Sequence, residues 1–131
     1  MTFTGAIKHC VSNYATFKGR ASRPEYWFFW LFSMLVFVAM TIVTLVLVGI
    51  SAAADTGGWL VGIWIAVCAI AALGLVIPSI SVAVRRLHDT HNSGWMWWIQ
   101  VVPYLGTMVF LVILLMPTYP VNNKYGEYTP S

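Results

Sequence analysis

The chain reads as an all-α polytopic membrane protein, with three transmembrane helices preceded by an N-terminal amphipathic interfacial helix. Three observations predict that class. Hydrophobic residues fill 60% of 131 positions and charged residues only 8%, against about 45–50% and about 25% in soluble domains. Three apolar stretches, residues 26–50, 59–84 and 95–116, reach the roughly 20 residues a helix needs to cross a hydrocarbon core of about 30 Å. Their interiors contain no Asp, Glu, Lys, Arg or His. What remains is too short for a second domain. Residues 1–131 therefore form one membrane domain: an arm at 1–22, the three spans, and a tail at 117–131.

The arm is polar but patterned. Phe3, Ile7, Cys10, Val11, Tyr14 and Phe17 recur at steps of three and four, the period of one helix face, while Lys8, His9, Ser12 and Asn13 fall elsewhere. Such a helix either lies in the membrane interface or packs that face on the protein's own spans. Ser22 and Glu25 then stand at capping-box spacing, with Pro24 in the first turn. The first span should therefore begin at about Arg23. Tyr26, Trp27, Phe28, Phe29, Trp30 and Phe32 follow as an aromatic belt at headgroup depth. A cleaved signal peptide is rejected, because the apolar run is longer than the 7–15 residues of such a region.

In the second span Gly58, Gly62 and Ala66 are four apart on one face, a spacing that favours close helix contact. Pro78 predicts a kink around residues 74–78, with Ser79 and Ser81 available to satisfy freed backbone groups locally. The third stretch contains Pro103-Tyr104-Leu105-Gly106. A continuous, kinked crossing is the expectation, and a re-entrant hairpin is the alternative. The tail has no apolar period and should be loop.

Charge is concentrated between the second and third stretches, in Arg85-Arg86-Leu87-His88-Asp89-Thr90-His91-Asn92-Ser93-Gly94-Trp95. Lys8, Lys18, Arg20 and Arg23 precede the first span, and only Asp55 lies in the next loop. This bias puts the N-terminus and the Arg-Arg loop in the cytoplasm, and three crossings would leave the C-terminus outside. Glu25 and Arg85 then share one depth. The expected site is a cytoplasmic-edge network of Arg20, Arg23, Glu25, Arg85, Arg86, His88 and Asp89, with an arginine fork left over for a lipid phosphate or a partner's acid. The net charge of +3 fits attraction to anionic lipid better than nucleic-acid binding.

Three blocks carry a resemblance. They are Tyr14 with Phe17-Lys18-Gly19-Arg20-Ala21-Ser22-Arg23-Pro24-Glu25-Tyr26-Trp27, then Pro78-Ser79 with Val84-Arg85-Arg86-Leu87-His88-Asp89-Thr90 and Ser93-Gly94-Trp95, then Asn123-Lys124-Tyr125-Gly126. The chain resembles the bacterial inner-membrane family called domain of unknown function 805. The resemblance implies a multi-pass inner-membrane protein and no particular activity.

Three classes of function compete. A metal-dependent enzyme would draw on His88, Asp89 and His91, with His9 and Cys10 approaching from the arm, but the sequence has no zinc-protease motif, nucleophile elbow or phosphate loop. An oligomeric transporter or channel component would normally carry ionisable residues within its spans. A non-enzymatic module that binds membrane lipid, a membrane-protein partner or a second copy fits best. No catalytic residue, metal, cofactor or disulfide is expected.

Overall fold

The computed structural model describes residues 1–128. Its elements are helices α1 (Phe3–Ser12), α2 (Arg23–Ala54) and α3 (Trp59–Asp89), a 3₁₀ helix (Gly94–Val101), and α4 (Leu105–Leu115). Proximity divides the chain into two units, Met1–Trp30 with the described part of Ile77–Ser131, and Leu31–Val76.

Two helices, α2 and α3, are long and apolar enough to cross a membrane. Helix α2 begins at Arg23 with Pro24 in its first turn. The Ser22 hydroxyl accepts from the Glu25 N–H at 3.4 Å. Only half of the capping box forms, because the Glu25 carboxylate is engaged elsewhere. Helix α3 continues through Pro78. Ser81 does not act locally there: its hydroxyl donates to the Thr16 carbonyl at 2.7 Å and the Asn13 carbonyl at 3.3 Å, tying α3 to the link after α1.

The third apolar stretch departs from expectation. It is not one crossing helix but the 3₁₀ helix and α4, joined through Tyr104, whose φ is +59°. At about 1.5 Å per residue α4 is about 16 Å long, half a hydrocarbon core. The two pieces fold onto each other, and Gly106 makes this possible: a methyl there would be driven into the Ile99 carbonyl. Both ends of the segment meet the last turns of α3. A methyl at Gly94 would touch Val84, and the Leu114 and Met116 carbonyls accept from Arg86. Around this junction Ala83, Leu87, Phe110, Ile113 and Leu114 form a buried core, backed by Tyr26, Trp27, Met96 and Trp97. The aromatic belt is thus split, since Trp30, Trp95 and Trp98 stay exposed.

Helix α1 is shorter than the arm and turned from the predicted face. Ala6 and Cys10 are buried, and Phe3 packs edge-on against Phe28 with ring centroids 5.9 Å apart. Val11, Tyr14 and Phe17 are exposed, the last two lying beyond the helix end. The face that carries Phe3, Ala6 and Cys10 therefore packs on the protein itself.

In the other unit the Trp64 indole N–H donates to the Thr44 hydroxyl at 3.0 Å. The expected close contact at Gly58, Gly62 and Ala66 is not made within the chain. A methyl at Gly58 or Gly62 would meet nothing within 4 Å, and Ala66 is exposed. Tail residues 117–128 contain no helix, and 129–131 lie outside the described residues.

Candidate functional site

A helix leaves its last carbonyls without intrahelical donors, and its C-terminal end carries partial negative charge. At the end of α3 these needs are met from three parts of the chain. The Arg85 carbonyl accepts from the Ala21 N–H at 3.0 Å. The Leu87 carbonyl takes the Asn92 N–H and the Thr90 hydroxyl. The His88 carbonyl takes the Asn123 amide at 3.0 Å. The Asp89 carbonyl takes the Tyr119 N–H at 3.1 Å and the Arg20 guanidinium at 3.3 Å. These bonds bring the link before α2, the α3 terminus and the tail to one place.

Two ion-pair groups occupy that place. In the first, Asp89 is fully buried between two arginines: Arg20 Nε donates to Oδ1 at 3.0 Å, and Arg86 Nη1 to Oδ2. Arg20 also donates to the Tyr119 carbonyl at 2.7 Å and the Val121 carbonyl at 2.9 Å. Arg86, itself fully buried, spends its other donors on Leu114 and Met116. An acid at a helix C-terminus opposes the dipole, but two guanidinium groups outweigh that opposition here.

In the second group Arg85 Nη1 donates to Glu25 Oε1 at 2.7 Å, with both side chains 3% exposed. The same oxygen meets His9 Nδ1 at 3.0 Å and the Cys10 thiol at 3.6 Å. Burial, reinforced by the nearby Glu25 charge, pushes the Cys10 thiol up to about 12. It is therefore a packed donor at neutral pH and a poor nucleophile. Arg85 Nε and Nη2 are buried with no hydrogen-bond partner among the described residues.

His88 stands beside both groups. Its Nδ1 lies 3.1 Å from the Gly19 carbonyl, and its ring stacks on Tyr125 with centroids 3.9 Å apart. Arg23 has no hydrogen bond or ion pair for its guanidinium among the described residues, although its charge acts on Arg86. All seven expected residues thus fall in one unit, six of them in direct polar contacts and Arg23 without one. His9 and Cys10 meet Glu25 rather than His88, and His91 stacks on Tyr119. No group of three His, Cys, Asp or Glu side chains suited to a metal occurs among the described residues.

Tail residues are the participants that the patterning of the chain left without a role. Tyr119 and Val121, with Met116 just before the tail, contribute backbone atoms, which no side-chain motif announces. Asn123 and Tyr125 contribute side chains, and their only sequence signal is the Asn-Lys-Tyr-Gly block.

An all-helical chain with two helices able to cross a membrane, and with Glu25, Arg85, Arg86 and Asp89 buried in ion pairs, defines an integral membrane protein of unassigned activity. The chain belongs to the family described as "Protein of unknown function (DUF805)", which matches residues 14–127. It is 32% identical over 117 residues to "Inner membrane protein YhaI" of Escherichia coli (strain K12), covering 89% of this chain and 88% of the relative. It is also 32% identical over 116 residues to "Inner membrane protein YhaH" of the same strain, covering 88% of each. No solved structure matches the chain. The family match encloses every cluster residue except His9 and Cys10.

Proposed function

We propose that this protein is a non-enzymatic module of the bacterial inner membrane that holds anionic lipid phosphate at its cytoplasmic edge. One observation carries the reading. The cluster sets four arginines, Arg20, Arg23, Arg85 and Arg86, against two acids, Glu25 and Asp89. Arg20 is consumed by Asp89 and by tail carbonyls, and Arg86 by Asp89 and by the Leu114 and Met116 carbonyls. Among the described residues the excess falls on Arg23, with no partner, and on Arg85, with two buried donors unmet. A buried charged donor without a partner costs more than about 1–3 kcal/mol, and a phosphate oxygen supplies the missing acceptor and the missing charge together.

The topology we propose has two crossings, within α2 and α3, and a re-entrant hairpin formed by the 3₁₀ helix and α4. It is supported by the return of Leu114 and Met116 to Arg86 and by the bonds from Arg20 to Tyr119 and Val121. Those contacts hold the tail beside the N-terminal link, so both termini lie in the cytoplasm. A reporter fused after the tail that is active only in the periplasm would overturn this arrangement.

Lipid retention tests the function. Protein purified in mild detergent should keep anionic phospholipid in preference to a zwitterionic one. Arg23→Gln should reduce that preference by about tenfold, equivalent to about 1.4 kcal/mol. Equal retention of both lipid classes by the unaltered protein rejects the proposal.

A further inference from the structure

The geometry points to a second ligand site, a pocket under His88 that takes the headgroup of one anionic glycerophospholipid bearing a free hydroxyl. It rests on the membrane reading above but uses none of the arginines. The pocket has a volume of about 500 Å³ and lies between the α3 terminus, the start of the 3₁₀ helix and the tail, with His88, Ser93, Gly94, Trp95, Trp98 and Tyr125 among its lining. That volume suits a headgroup with the first part of its chains.

Its floor is polar and oriented. A carbonyl only accepts, so the short contact to Gly19 puts the hydrogen of the neutral His88 ring on Nδ1 and leaves Nε2 as an acceptor. His88 is 8% exposed, its ring is clamped by Tyr125, and Nε2 has no partner among the described residues. Gly94 packs close beside Nε2, and the absence of a side chain there leaves that nitrogen uncrowded. A methyl there would come within 3.1 Å of Nε2 and 2.8 Å of a Val84 methyl. A ligand hydroxyl is the group that this nitrogen can accept from.

The walls and rim select the rest of the ligand. Trp95 and Trp98 are strongly exposed, as tryptophans are where a protein meets lipid at headgroup depth. Lys124 lies over the Tyr125 ring with its ammonium 4.9 Å from the centroid, and it puts positive charge at the rim. A headgroup ammonium would be repelled by it, whereas a phosphate would be attracted. Phosphate at the rim, a headgroup hydroxyl on Nε2 and acyl chains along the tryptophans together describe one molecule, a phosphatidylglycerol-type lipid.

The test uses the full chain in detergent and native mass spectrometry with three lipids. Phosphatidylglycerol and phosphatidylserine have equal net charge, but only the first has a headgroup hydroxyl and no ammonium. Phosphatidylethanolamine is the zwitterionic control. The expected result is at least tenfold tighter binding of phosphatidylglycerol than of phosphatidylserine, with that preference lost in Gly94→Ala, whose methyl crowds His88 Nε2. Lys124→Gln, an exposed change that leaves the fold intact, should weaken phosphatidylglycerol severalfold. Equal binding of the two anionic lipids overturns the pocket while leaving the arginine reading intact. Phosphatidylethanolamine binding as well as both overturns the arginine reading as well. Free glycerol phosphate binding as tightly as the lipid makes this a soluble-metabolite site and overturns the lipid assignment.

Discussion

The two units of this molecule bury opposite things. In residues 31–76 the only charge is Asp55 and large apolar side chains face outward, with Ile70 72% and Leu73 70% exposed. In the other unit Arg86 and Asp89 are fully buried, with Glu25 and Arg85 nearly so. A protein dissolved in water arranges itself the other way, because apolar area removed from water is its main source of stability. Where lipid is the solvent, apolar exposure costs nothing and cohesion must come from packing and polar contacts. Each unit therefore has its own glue: polar bonding and a small core in the charged unit, and helix packing with bonds such as Trp64–Thr44 in the apolar one.

The comparison is broken most directly at Asp89. Replacing it with alanine leaves Arg20 and Arg86 buried without their counter-ion, and Asp89 accepts from both. Removing one partner of a buried pair costs about 3–5 kcal/mol, and a carboxylate shared by two arginines belongs at the top of that range. Asp89→Ala should strongly lower the unfolding midpoint in mild detergent and free the tail for proteolysis. A loss below about 1 kcal/mol, the value of an exposed pair, would show that the cluster is not what holds this unit together.

Glu25 and Arg85 give the next effect. Either reversal alone, Glu25→Arg or Arg85→Glu, should destabilise by roughly 3 kcal/mol, the lower end for a buried pair, because Arg85 already has two donors unmet. The double reversal should recover part of the loss. Full recovery is not expected, since His9 and Cys10 also meet Glu25 Oε1. Single effects that simply add in the double variant would mean that the two side chains are uncoupled.

These residues also mark how far the sequence could be read. Composition alone identified a membrane protein, and equal depth of Glu25 and Arg85 at the ends of two apolar runs suggested that they could pair. The poor fit of an acid at a helix end points Asp89 toward Arg20 or Arg23, and the structure pairs it with Arg20. The hairpin was harder, because Pro103 and Gly106 suit a kinked crossing as well as a reversal. What decides between them is the approach of Gly106 to the Ile99 carbonyl, a tertiary contact seven residues away that local pattern does not encode. The tail was hardest, since Met116, Tyr119 and Val121 act through backbone atoms that every residue possesses.

The gentlest probe of the comparison is a pair of glycines. At Gly106, in the charged unit, alanine forces its methyl into the Ile99 carbonyl, and overpacking of this kind costs about 1–3 kcal/mol. At Gly62, in the apolar unit, an added methyl meets nothing within 4 Å. Glycine is also about 0.8–1 kcal/mol worse than the best helix formers, so Gly62→Leu should leave monomer stability unchanged or raise it slightly. The informative measurement is unfolding in dilute detergent, where copies of the chain are apart, alongside particle size at higher protein concentration. Unchanged stability with a smaller particle would place the Gly58, Gly62 and Ala66 face between copies. A loss of monomer stability of 1 kcal/mol or more, a large share of a typical total, would mean that the apolar unit is packed as closely as the charged one, and the contrast between them would fall.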